Sequence, residues 1–282
     1  MRGGYERSIV IIASLLVACS EDPRPTQQTA PPVVEETVDG YRVLEMEDAG
    51  SIAGQLRWVG ERPTLAPLEV RTDAEECGES QPSPALRISA RGGVADALIE
   101  IVSPRAGAPL ERPAEPVTIT RAGCVFSPHV SVVGVGWPIV FSSRDDVVHN
   151  VHGTLDGRRV FDLGLPRAGA VARARVRSEG IVRLVCDAGH TWEHGWIRVT
   201  DHPYVAVSNE DGRFRISNVP PGQFALRVWH EGWLVGGTRA GRPTYSNPII
   251  LHRTVSVSPR QETTVDFELS QQSAEIAGQT PD

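Results

Sequence analysis

Turn-forming residues punctuate this chain so closely that no segment sustains a helical period, and any fold must be assembled from short extended pieces. Apolar and polar residues alternate in brief runs at Ile52 to Val59, Ala97 to Val102, Pro116 to Thr120, Pro138 to Ser142, Ile181 to Cys186 and Trp196 to Thr200. Each run is bounded by Gly, Pro, Asp or Asn. There are 27 glycines and 22 prolines in 282 residues, with 40% hydrophobic and 22% charged residues, so a core can be buried but a helical bundle is excluded. At about 150 residues per domain the length suits roughly two domains. The pattern predicts an all-β chain of sandwiches joined in series. A net charge of -7 argues against a nucleic-acid partner. All 28 basic residues are Arg, which codon usage explains more simply than phosphate or sulfate recognition.

The N-terminus carries Arg2 and Arg7, then an apolar stretch from Ile9 to Val17 that is too short to span a bilayer. Leu16-Val17-Ala18-Cys19 resembles the lipobox of bacterial lipoproteins. That resemblance implies a signal peptide over 1–18, lipidation of Cys19, and export to the outer membrane, on its periplasmic face or at the cell surface. The anchor would be the only membrane contact. Residues 19–47, rich in Pro, Gln, Thr and Glu, read as a disordered tether, and 271–282 as a disordered tail.

Between them, 48–84 reads as an N-terminal β extension, 85–202 as one sandwich and 203–270 as another. The last stretch holds an Asp211-Gly212 turn between two runs, which predicts a hairpin, then Val219-Pro220-Pro221-Gly222 and an alternating strand through Phe224, Leu226 and Val228. It resembles the carboxypeptidase regulatory-like (transthyretin-like) sandwich, which implies a spacer or docking role. Trp229-His230-Glu231 offers metal-binding groups, but neighbours on a strand face opposite ways, so these are expected to be surface or packing residues.

In an exported protein Cys77 and Cys124 most simply form a disulfide. Cys186 then has no partner, yet it opens the segment Cys186-Asp187-Ala188-Gly189-His190-Thr191-Trp192-Glu193-His194, with His149-Asn150 at the end of an earlier run. The order His149, Cys186, His190 resembles the cupredoxin family (plastocyanin and azurin), over about residues 85 to 200. That implies a Greek-key sandwich whose thiolate and two imidazoles hold one copper ion for electron transfer. The arrangement with a following regulatory-like sandwich is similar to exported proteins of the methylamine-utilisation type.

The family's axial Met is missing, since the only methionines are Met1 and Met46. Glu193 stands at the expected place. A carboxylate there would favour Cu(II), as in the red copper centre of nitrosocyanin. His194 or His152 are alternative ligands, and the axial position could be empty. Zinc would also suit Cys, His and Glu, although affinity order favours copper. His129, His202, His230 and His252 are expected at the surface. Trp192 and Trp196 are candidates for an electron exit route or for core packing. No serine nucleophile elbow, phosphate loop or zincin motif is present. The reading is therefore a non-enzymatic redox or copper-binding lipoprotein with an unidentified redox partner protein. An enzymatic mononuclear copper site and a purely structural surface-docking protein are the rivals.

Overall fold

The computed structural model describes Met1, residues 40–239 and residues 241–273; the signal peptide, Cys19, most of the tether and the end of the tail lie outside the described residues. Among the described residues the chain is all-β apart from a four-residue helical turn at Ala74–Cys77 and the start of a helical turn at 271–273. Among the described residues no helix is long and apolar enough to cross a membrane.

One sandwich is formed by two sheets. The first runs Val171–Ala174, Ile139–Ser143, Val117–Arg121, Phe126–Ser127, and the second runs Arg158–Leu165, His149–Leu155, Gly180–Val185, His194–Thr200, Val130–Gly134. Two pairings are parallel, Val117–Arg121 with Ile139–Ser143 and Val130–Gly134 with His194–Thr200. Period-two alternation sends Ile119, Ile139, Phe141, Val151, Val182, Leu184 and Ile197 into a common core. Each such side chain contributes roughly 1.5–3 kcal/mol by leaving water.

The other sandwich is not confined to 203–270, and the expected serial order is corrected. Gly50–Trp58 pairs with Arg213–Val219, Glu262–Thr264 and Phe267–Leu269, while Leu98–Ile101 lies between Val205–Val207 and Gly222–His230. Strands from before the first sandwich thus complete the later one, with Ile52, Leu56, Ile99, Ile101, Leu226, Val228 and Phe267 in its core. Leu98–Ile101 is buried on both faces, as a central strand must be. Ile99 and Ile101 face this core, and Leu98 faces Val130 and Trp229 between the two sandwiches.

Two smaller expectations also change. The Asp211-Gly212 turn is closed by hydrogen bonds between Asn209, Gly212 and Arg213, but the flanking strands enter different sheets, so it is a corner rather than a hairpin. The tether ends before residue 41. Tyr41 is buried, its hydroxyl donates to the Ala108 carbonyl (2.7 Å), and Arg42–Val43 pairs with Ala106–Gly107.

The sandwiches meet across the outer face of the five-stranded sheet. Trp196 packs edge-on against Trp229 (centroids 5.1 Å), and buried Glu100 accepts from Arg198 Nε (2.8 Å) and Arg227 Nε (2.9 Å).

Candidate metal centre

Three of the candidate ligands come from one hairpin loop. The pairing of Gly180–Val185 with His194–Thr200 ends at Val185↔His194, so residues 186 to 193 form the connection at the sheet rim. His149–Leu155 is the neighbouring antiparallel strand, paired His152↔Val185, and its first residue therefore stands beside that loop. His149, Cys186, His190 and Glu193 converge there, all buried.

The separations, 2.9–3.9 Å, bracket those of a coordination cage. His149 Nδ1 lies 2.9 Å from His190 Nδ1, 3.9 Å from Cys186 Sγ and 3.1 Å from Glu193 Oε1. His190 Nδ1 lies 3.6 Å from Cys186 Sγ and 3.4 Å from Glu193 Oε1. Ligands at about 2.0–2.3 Å from a tetrahedral ion stand roughly 3.3–3.8 Å from one another, because a tetrahedron's edge is about 1.63 times its radius. Glu193 Oε1 is buried and faces only the cage imidazoles, with no hydrogen-bond partner outside the cage among the described residues, as a metal ligand would be placed.

Both imidazoles are turned by carboxylates behind them. His149 Nε2–H donates to Asp145 Oδ2 (3.2 Å) and His190 Nε2–H to Asp73 Oδ2 (2.8 Å). With those nitrogens protonated, each Nδ1 presents its lone pair to the cage, as in carboxylate–histidine–metal triads. Asp73 precedes the helical turn Ala74–Cys77, yet its side chain makes no capping bond to it. Asp145 is fixed by the backbone N–H groups of Gly123 (2.6 Å) and Cys124 (3.0 Å). Glu193 Oε2 is ion-paired with buried Arg121, whose guanidinium lies 4.0 Å over the Phe126 ring.

The polar cage also sets the protonation of the metal-free protein. Burial pushes the Cys186 thiol up, but hydrogen bonds from His149 and His190 outweigh it and bring its pKa down to about 6. Burial pulls His149 down, but its hydrogen bonds to Cys186 and Glu193 prevail and raise it to about 9. His190 is raised in the same way by Cys186 and Asp73. A thiolate facing a shared proton on the imidazoles is the form from which a metal would displace that proton.

Cys77 and Cys124 are joined, with Cα atoms 5.3 Å apart, and this bond ties the segment carrying Asp73 to the loop that holds Asp145. Trp192 is buried against that disulfide, with Nε1–H donating to the Cys124 carbonyl (3.1 Å) and its ring 5.0 Å from His190. Trp196 is half-buried between the sandwiches.

The two alternative ligands are not brought to the cage, for one reason. His152 is three residues from His149 on a strand and so faces the opposite side, where its Nδ1 pairs with Asp187 (2.6 Å). His194 opens the strand that follows the loop, on the same outward face as Trp196. Glu231 receives it there, taking His194 Nε2 (2.9 Å) on one oxygen and His129 on the other.

The later sandwich covers this face, which corrects the surface assignment of His129 and His230 and makes Glu231 a buried packing residue. His202 is buried too, accepting the Tyr204 N–H (3.2 Å), while His252 is exposed. Arg121, Asp73 and Asp145 were not singled out by sequence. Only Asp145, four residues before His149, carried a local signal.

No family model matches this chain. It is 34% identical over 84 residues to a rhamnogalacturonate lyase of Dickeya dadantii (strain 3937), a match covering 30% of this chain and 14% of that relative's length. Among solved structures it is similar to a purple cupredoxin from Nitrosopumilus maritimus, with 20% identity over 30% of this chain and 99% of the other, at a TM-score of 0.26. It is similar also to a mutant amicyanin in its reduced Cu(I) form, with 17% identity over 36% and 98% of the chains, at a TM-score of 0.28. A Cu-containing nitrite reductase from Thermus scotoductus SA-01 gives 24% identity over 36% and 26%, at a TM-score of 0.28.

Proposed function

We propose that this chain is an exported, lipid-anchored protein that holds one copper ion through His149, Cys186, His190 and Glu193 and passes electrons to a redox partner protein. The observation that carries this reading is the convergence of one thiol, two Nδ1 atoms and one carboxylate oxygen that has no partner outside the cage, with both outer imidazole nitrogens committed to carboxylates. Copper held there would supply one-electron chemistry between Cu(I) and Cu(II). The protein's own part is to keep the donors fixed. Arg121 holds Glu193, Asp73 and Asp145 hold the imidazoles, and the loop is closed by paired strands on both sides. Four protein donors also suit electron transfer better than catalysis, which needs an open coordination position. Cys19 would be the lipidated residue and the outer membrane the place of anchoring.

Titration of the purified soluble chain with Cu(II) tests the site. An intense thiolate-to-copper absorption band that is absent in Cys186→Ala and altered in Glu193→Gln is the expected result. A colourless complex, or a band that survives Cys186→Ala, overturns the reading; zinc would give the colourless outcome.

A further inference from the structure

Behind the metal loop, on the outward face of the same hairpin, lies a cavity of about 440 Å³ between the two sandwiches. Arg183 and Trp196 line it from the five-stranded sheet; Arg239, Arg242, Tyr245 and Ser246 line it from the later sandwich. Arg183 Nε, Trp196 Nε1, Arg242 Nη1 and Ser246 Oγ are buried there without a hydrogen-bond partner. Three of these atoms can only donate, and the hydroxyl can donate as well. Among the described lining residues the one carboxylate is that of Glu231. Glu231 lines the cavity, but its two oxygens are taken by His129 and His194. Asp187, beyond it, already accepts from Arg242 Nη2. With Arg242 paired to Asp187 and Glu231 committed to the two imidazoles, Arg183 and Arg239 face the cavity with no carboxylate partner among the described residues, leaving an excess of positive charge and of unmet donors.

Buried donors left unmet cost free energy, and an anion that accepts from several of them removes the cost. The rest of the lining, with Trp196, Tyr245, Pro243 and Pro248, suits a ligand with an apolar or ring-shaped body. We infer that this cavity is a binding site for a small organic carboxylate, its carboxylate received by Arg183, Arg242, Trp196 and Ser246 and its body lying against Trp196 and Tyr245. The inference does not depend on what the metal loop holds. Its position gives it a contact with that loop, because Arg242 Nη2 also donates to the Cys186 carbonyl (2.9 Å).

Calorimetric titration of the metal-free soluble chain with benzoate, acetate and inorganic phosphate tests the inference. Benzoate is expected to bind saturably, with acetate and phosphate each weaker by about tenfold or more, since one lacks the body and the other the planar carboxylate. Arg183→Met and Ser246→Ala are expected to weaken benzoate, the former by about tenfold or more, and Arg158→Met, an exposed arginine elsewhere on that sheet, to leave it unchanged. Melting temperatures of the variants separate a lost contact from a lost fold; should Arg183→Met unfold, Ser246→Ala carries the comparison alone. No saturable benzoate binding, phosphate binding as tight as benzoate, or equal loss in Arg158→Met overturns the inference.

Discussion

Replacing Asp73 by Asn should weaken metal binding without weakening the metal-free fold. Asp73 occupies a left-handed backbone conformation (φ 57), which Asn adopts readily, so the exchange removes the charge and little else. The carboxylate is 42% exposed and makes no cap bond, and substitutions at such positions usually stay within about 0.5 kcal/mol of the parent stability. Its one long-range partner is His190 Nε2, 117 residues away. Outer carboxylates on ligating histidines are worth roughly 10–100-fold in metal affinity. Solvent screening places Asp73 at the lower end, about tenfold or about 1.4 kcal/mol. Asp145 is the internal comparison. Its side chain is 5% exposed and also holds two backbone N–H groups, so Asp145→Asn should cost about 100-fold in affinity and destabilise the metal-free protein as well. The assay is competition for Cu(I) against a chromophoric chelator, with a thermal melt of the metal-free protein beside it. Unchanged affinity in Asp73→Asn, or a melting temperature that falls in step with affinity, would falsify the idea that this carboxylate works through the His190 ring.

Metal uptake must displace the proton that His149 holds up to about pH 9, so apparent affinity should rise between pH 7 and 9 by up to about tenfold per unit; chelator competition at several pH values measures the slope, and a flat profile contradicts the proton assignment. Joint replacement of Cys77 and Cys124 by Ala opens a 47-residue separation and should cost about 4 kcal/mol by chain entropy, read by urea unfolding, with metal affinity falling as the Asp73 segment loosens. Glu100→Ala leaves Arg198 and Arg227 facing each other in the interface and should cost about 3 kcal/mol. Burial lifts the Glu100 carboxyl, but the two arginines outweigh it and hold it below its ordinary 4.5, so its contribution is present above that pH and lost as the pH falls; Glu100→Gln should flatten the acid limb of stability against pH. Burial, aided by Arg198, pulls His202 down from 6.5 to about 4, so stability should decline as the pH falls from 6.5 toward 4, and His202→Asn should remove that part of the slope.

What could be read from the chain alone follows sequence distance. Cys186, His190 and Glu193 share one short connection, and His149 opens the strand hydrogen-bonded beside it, so their proximity is a local matter that order and spacing convey. Arg121 meets Glu193 across 72 residues and Asp73 meets His190 across 117, pairings that exist only once the sandwich has closed. The second sandwich was misdrawn for the same reason. Gly50–Trp58 and Leu98–Ile101 look like members of the segment that follows them, yet they pair with strands from Val205 onward. Leu-Ile-Glu-Ile at 98–101 did carry a clue, since three apolar residues in four imply burial on both faces. His152 is the case where a sequence rule was available and sufficient: an odd offset from His149 on a strand places it on the other face.

That same alternation explains why the later sandwich is more than a spacer. The hairpin of Gly180–Val185 and His194–Thr200 shows its inward side to Val151 and the core, and its outward side, with Arg183, His194 and Trp196, to the later sandwich. From there Glu231 takes His194, the residue directly after the candidate ligand Glu193, and Arg242 takes the carbonyl of Cys186 itself. The loop of residues 186–193 is therefore gripped at both of its ends from one sandwich, and through Arg121 and Asp73 from the other side, while Asp145 holds His149 beside it. At the proposed copper site, a donor set held from two directions would move little between oxidation states, the rigidity that a low-reorganisation site requires. The two sandwiches share strands, interface and cage, so they act as one support for the loop that lies at their junction.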